Sequence, residues 1–401
     1  MPFLFTTAID TRAPLLAGHV RADQMDRSGH YARWEDDFEL AHSLGIGALF
    51  YGPAYYRAHI GPDQYDWDTC AEPMERLRLL GIEPIADLCH GGVPSWLDGV
   101  QDEAFPVLFA EYARAFARRF PWVRYFAPVH DIVGTAEAST LDGRWNDGAK
   151  SDAAFARAIR TLCLAHELAV EAIIHEQPDA IIVHTVAASY AHAAGEGARA
   201  EADRRNARRW LALDLCLGRE LAPGLSRLLH AHGVPSHELS YFRERRAPTQ
   251  RMLSLAWTPD SERRVTAAGR ETAAAQRVGV RHLATELHRR HGLPLLLGET
   301  HAAAKGARSW LRKQWDDALA LRAAGIPIVG FGWSPLTDAA VIGTGPRAMQ
   351  DIGLADTKRA LRPAGELFRE LVAKWSPIFD AVVPPRAALR PRRSATLRQP
   401  R

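Results

Sequence analysis

The 401-residue chain has only four cysteines, Cys70, Cys89, Cys163 and Cys216, and no two stand in a C-x-x-C pair. That sets aside a disulfide framework or a cysteine-rich zinc site, and the four read as buried thiols. No apolar run approaches the roughly 18 residues that a membrane span needs. The opening MPFLFTTAIDTRAPLL has no cationic stretch leading into a continuous apolar one, so the chain reads as soluble, unexported and cytoplasmic. No strand-like segment runs into a G-x-G-x-x-G turn, since GIGALFYG merely leads into and along a strand. A basic surface is also lacking. The net charge of +3 rests on the C-terminal stretch AVVPPRAALRPRRSATLRQPR, which holds six arginines and no acid. The rest is acidic on balance, with no other basic stripe, so neither nucleic acid nor a membrane is an expected partner. Proline and arginine without apolar periodicity make 381–401 an expected disordered tail.

What the chain does have is a regular beat. Eight short apolar runs recur: PFLFTTAI from Pro2, IGALFYG from Ile46, IEPIADLCH from Ile82, VRYFAPVHD from Val123, AIIVHTVA from Ala180, MLSLAWT from Met252, LPLLLGET from Leu293 and IPIVGFGWS from Ile326. Runs apolar on both faces are what parallel strands covered by helices require. Amphipathic stretches lie between them, such as RWEDDFELAHSLG, AEPMERLRLLG and AGRETAAAQRVGVRHLATELHRRHG, and Gly45, Gly81, Gly292 and Gly325 stand where helix C-caps belong. Eight β-α units predict one α/β domain, a (β/α)₈ barrel over residues 1–380, with a doubly wound open sheet as the alternative.

In such a barrel, chemistry collects at the C-terminal ends of the strands. The runs end in His90, in His130 with Asp131, near His184, in Trp257, in Glu299 with His301, and in Trp333. A carboxylate closing an apolar strand is costly unless paired or used, and Glu299 and Asp131 fall on strands seven and four, which face each other across the mouth. Two such carboxylates can flank a glycosidic bond, about 5–5.5 Å apart in retaining enzymes and about 6.5–9.5 Å apart in inverting ones. A metal-dependent barrel enzyme is the alternative, with His90, His130, Asp131, His184 and Glu299 as an imidazole and carboxylate shell. His19 and His30 follow strand one and are candidates for the pocket rim. Tyr55 and Tyr56 follow strand two, where aromatics can line a substrate.

Here the chain resembles glycoside hydrolase family one, the β-glycosidases, especially the bacterial branch joined to sugar-nucleotide reductases. The resemblance runs from about Asp23 to Phe379 and is most specific in DQMDRSGHYARWEDDFELAHSLGIGALFYGPAYY, in GPDQYDWDTCAEPMERLRLLGIEPIADLCHGGVPSWL, in FAEYARAFARRFPWVRYFAPVHDIVGTAE and in LPLLLGETHAAAKGARSWL. It implies hydrolysis or transfer of a β-O-glycosidic bond in a small glycoside, with no cofactor. It also implies Glu299 as nucleophile, His90 on a sugar hydroxyl and Trp333 as the aromatic platform. Trp257 takes the place of a tyrosine on strand six. Where the family has Asn-Glu after strand four, this chain has His130 and Asp131, which then stand for the 2-hydroxyl contact and the acid/base. Asp is one methylene shorter than Glu, a retreat of roughly 1–1.5 Å. Phe50 stands where strand two would carry an arginine beside the nucleophile, so Glu299 is expected to have a raised pKa. A catalytically degenerate sugar-binding or scaffold protein is the remaining alternative. The sequence gives no oligomeric state.

Overall fold

The computed structural model describes residues 2–16, 20–244, 250–342 and 348–382. His19 and the basic stretch from 383 onward lie outside the described residues. The eight apolar runs all become parallel strands: β1 Leu4–Ala8, β2 Ala48–Tyr51, β3 Glu83–Asp87, β4 Tyr125–Ala127, β5 Ile181–Ala187, β6 Arg251–Trp257, β7 Leu295–Thr300 and β8 Ile328–Trp333. Each pairs with its sequence neighbours, and β1 pairs with β8, which closes the barrel. This is the single-domain (β/α)₈ architecture expected from the pattern of strands and helices.

Helices cover the outside: α1 His30–Ser43, α2 Asp68–Leu80, α3 Phe105–Arg119, α4 Ile132–Thr140, α5 Asp152–Glu176, α6 Gly279–His291, α7 Ala304–Ala323 and α8 Pro363–Val382. Gly45, Gly81, Gly292 and Gly325 take φ of 71–84°, the left-handed turn that lets α1, α2, α6 and α7 hand over to the next strand. One expectation fails: the stretch beginning AGRETAAA is not helical from its start. Its residues Glu271–Ala273 form an edge strand on Glu262–Val265, which in turn pairs with Tyr190–Ala193, and the helix begins only at Gly279. In the arginine-rich stretch RRNARRW from Arg204, Arg209 is buried and bonded to Glu286.

Strand alternation sorts the side chains into two layers. Leu4, Ala8, Ala48, Phe50, Ile85, Ile181, Val183, Met252 and Leu296 fill the barrel interior. Their neighbours in sequence, including Phe5, Leu49, Ala86, Ile182, Leu253 and Phe331, face the helices. All four cysteines are free and buried.

Candidate active site

At the C-terminal mouth a cavity of about 380 Å³ opens, lined by Asp10, Arg12, Phe50, Asp87, His90, His130, Asp131, Trp145, Glu299 and His301 among others. Which residues reach it follows from strand parity. Ile85 points into the barrel, so Asp87, two residues on, does too. Past the strand ends, His90 and His130 form a parallel bridge, and the amide of His130 donates to Cys89 O at 2.9 Å. That register lays the two imidazoles one on the other, with centroids 3.7 Å apart and planes 3° from parallel.

Glu299 reaches the mouth by a different device. Against β6, the step from Ser254 to Ala256 spans two residues while β7 runs three, from Leu296 to Glu299. The extra residue is a bulge, and it turns Glu299 to the face that strict alternation would have denied it. Gly298 sits in the bulge, where a side chain would run into Ser254 Oγ and the Leu296 side chain.

The charges form one chain of contacts. Asp87 Oδ2 accepts from Thr11 Oγ1 at 2.9 Å, from His90 Nδ1 at 3.0 Å and from His130 Nδ1 at 3.1 Å. His130 Nε2 lies 3.1 Å from Glu299 Oε1. Burial alone would lower the His130 pKa, but Asp87 and Glu299 hold it well above the ordinary value, so the ring is an imidazolium at neutral pH. Burial would likewise raise Glu299, yet the His130 cation, with His90 behind it, pulls it below the usual range. The raised pKa expected from the missing strand-two arginine is therefore wrong, because the cation arrives from strand four. Asp131 goes the other way: burial raises its pKa against the opposing pull of His130 and the Gly134 amide. It sits in a left-handed backbone conformation (φ 40°), with its amide donating to Thr185 Oγ1 at 2.8 Å and its carboxylate capping α4 at Gly134.

Five sequence candidates fall elsewhere. Trp333 shares the outward register of Phe331, is wholly buried and donates from Nε1 to Ile352 O at 2.8 Å, so it offers no platform. Trp257, outward on β6, is a core residue whose carbonyl accepts from Thr300. Tyr55 packs against Phe109 and Tyr112. His184 faces the helices and bonds Arg251 Nη1 at 3.0 Å, away from His90 and His130. His30 is buried on Asp37, off the rim.

The five-residue metal shell is therefore not assembled. Among the described residues one trio has metal-ligand spacing, Asp87, His90 and His130, all within 4.8 Å of one another. Both Nδ1 atoms there are bonded to the same carboxylate oxygen, an arrangement of hydrogen bonds rather than of ligands around an ion.

No family model and no curated protein matches the chain. Solved structures do. A β-glucosidase from Thermotoga maritima in complex with azafagomine superposes with a TM-score of 0.80 at 17% identity, covering 93% of this chain and 98% of that one. A family 1 β-glucosidase from the same organism gives 0.79 at 16%, covering 92% and 97%. The likeness is one of fold. It is a likeness to the barrel of those two β-glucosidases, and it extends over nearly the whole length of both chains.

Among the cavity residues that escaped the sequence reading are Asp87, Arg12 and Trp145. Asp87 was visible in principle, as the one charge inside the apolar run PIADLC. Arg12 donates from Nε to Asp10 Oδ1 at 2.8 Å, and its charge is felt by Glu299. Trp145 lies over Gly91, whose missing side chain makes room for the indole. A loop closure of this kind leaves no local signal.

Proposed function

We propose that the chain hydrolyses or transfers a β-O-glycosidic bond of a small glycoside, with Glu299 as nucleophile and Asp131 as acid/base. The carrying observation is that two carboxylates lining one cavity, on facing strands, are pushed apart: Glu299 towards ionisation and Asp131 towards protonation. Such a split is how acid and nucleophile are told apart in a site with two like groups. Glu299 attacks the anomeric carbon and the bond to the leaving oxygen breaks as Asp131 delivers its proton to that oxygen. Asp131, now a base, takes a proton from water or an acceptor hydroxyl, which releases the sugar from Glu299. His90 contacts a sugar hydroxyl. His130 bonds Asp87 through Nδ1 and holds Nε2 3.1 Å from Glu299 Oε1, so its part is electrostatic rather than the 2-hydroxyl contact that the resemblance implies.

The test is the intact mass after incubation with 2-deoxy-2-fluoro glycosides bearing a good leaving group. The wild-type chain is expected to gain one glycosyl unit and Glu299→Gln none. A good leaving group relieves the demand on Asp131, so the result isolates the nucleophile. Labelling is expected to survive treatment with a chelator, and its loss would favour the metal alternative. No labelling across a broad sugar panel removes the covalent reading.

A further inference from the structure

Asp131 stands where the sheet no longer supports it. The β4–β5 ladder pairs Tyr125 with Ile181 and Phe126 with Ile182 and goes no further, while β5 runs on to Ala187. The amide of Asp131, past the end of β4, is therefore outside the ladder and needs another acceptor. Thr185 of β5 supplies it. Thr185 shares the inward parity of Ile181 and Val183, is buried, and its Oγ1 accepts from that amide at 2.8 Å. The bond holds a costly conformation. Among the described residues other than glycine, Asp63, Asp131, Asn146 and Arg359 have positive φ, and of these Asp131 alone lines the cavity. Its carbonyl accepts from Thr135 N at 2.9 Å and its Oδ1 from Gly134 N at 3.3 Å, so amide, carbonyl and carboxyl group are all tied. Gly134 has a second part. A side chain there would run into Asp131 Oδ2, so the bare α-carbon is what gives the carboxyl group its place.

We propose that Thr185 and Gly134 are positioning residues for Asp131: the Thr185 hydroxyl keeps the residue in its left-handed backbone by accepting its amide hydrogen, and Gly134 leaves the room that its carboxyl group occupies at the cavity wall. The chemical half rests on the glycosidase reading; the conformational half does not. In an ordinary backbone the Cα–Cβ bond points elsewhere, and an aspartate has one methylene less than a glutamate with which to reach back. Release of Asp131 costs proton delivery to the leaving oxygen, while attack by Glu299, held on β7, is untouched. An oxygen that departs as a stable anion needs no proton; a poor leaving group does.

That difference separates positioning from a merely structural hydroxyl, with measurements on the full chain. Thr185→Val keeps the shape and removes the acceptor, Thr185→Ser keeps the acceptor, and Gly134→Ala crowds Asp131 Oδ2. For aryl glycosides with an acidic leaving phenol, kcat/KM of Thr185→Val and of Gly134→Ala is expected to stay within about threefold of the wild type; for alkyl glycosides it is expected to fall by about tenfold to a hundredfold, with Thr185→Ser close to the wild type. An equal fall for both leaving groups, or none for either, overturns the positioning role. Asp131→Asn tests the reading beneath it, since asparagine tolerates the left-handed backbone and cannot serve as the acid. If Asp131→Asn shows no dependence on the leaving group, Asp131 is not the acid and the assignment of roles fails; if it does and Thr185→Val does not, the positioning role alone fails. Crystal structures need no substrate. Residue 131 is expected to be left-handed in the wild type and to leave that conformation in Thr185→Val, and a variant with Asp131 unmoved overturns the proposal. Should Thr185→Val not fold, Gly134→Ala decides in the same two ways, by its leaving-group dependence and by the place of the Asp131 carboxyl group. If no glycoside is turned over at all, the glycosidase reading fails, and the structures still decide the conformational half.

Discussion

His130 sits between two carboxylates and on top of a second imidazole, a place where a neutral side chain could not replace it quietly. Its charge offsets what burial does to Glu299, so removing it gives a pH dependence whose sign can be worked out. Glu299 must be ionised to act as nucleophile. In the wild type the lowered pKa keeps it ionised below the ordinary carboxylate range, so the acid limb of labelling lies low. In His130→Leu the largest pull against burial is gone and the acid limb is expected to rise, measured as the labelling rate against pH. An unmoved limb would mean that some other group, Arg12 foremost, supplies the charge. Residue by residue, the sequence showed which chemistries were present but not which way they faced. Glu299, Asp131, His90 and His130 line the cavity; Trp333 and Trp257 close strands and His184 lies midway along β5, but all three are on the outward parity. Strands apolar on both faces carry no alternation from which that parity could be read.

At the scale of elements, the same apolar continuity that hid parity made the strands themselves easy to find: seven of the eight runs contain their strands, and β6 begins one residue before its run, at Arg251. What it could not show was the bulge in β7. The three-for-two step opposite Ser254 and Ala256 decides that Glu299, and not its neighbour, enters the mouth. Gly298 permits that step because no side chain fits between Ser254 and Leu296. Gly298→Ala is therefore expected to lose about 1–3 kcal/mol of stability in denaturant melts through overpacking. Labelling should fall with it, even at temperatures where the variant is still folded. If stability falls and labelling does not, the bulge serves packing alone. The excursion between β5 and β6 shows a further limit. Polar Glu271–Ala273 has nothing strand-like about it in isolation and becomes a strand only because Glu262–Val265 offers it an edge.

Across the whole molecule, charge is placed in two depths with two consequences. The mouth keeps its charges around open space, where they can act on a ligand. Behind the wall of the barrel lies another set with no such access: Arg251 of β6 grips Glu167 of α5 through two contacts of 3.1 Å, and also bonds His184 and Cys216 O. Both charged side chains are at most 2% exposed. The His184 pKa is lowered by burial and by the neighbouring His166 and Arg251, so it stays neutral and accepts from the guanidinium. A ring used in that way has no lone pair for a metal. Glu167→Ala would strand the Arg251 charge in a dry site, and breaking one half of a buried pair costs about 3–5 kcal/mol. Replacing both partners by apolar groups of similar size, Glu167→Leu with Arg251→Met, is expected to restore most of that loss. Equilibrium unfolding in urea measures both, and labelling of the folded protein at low temperature should be unchanged in each. A double variant as unstable as Glu167→Ala would show that His184 and the Cys216 carbonyl, left without their donor, cost as much as the stranded charge, which would make this network, and not the apolar wall around it, what holds β5 and β6 to α5.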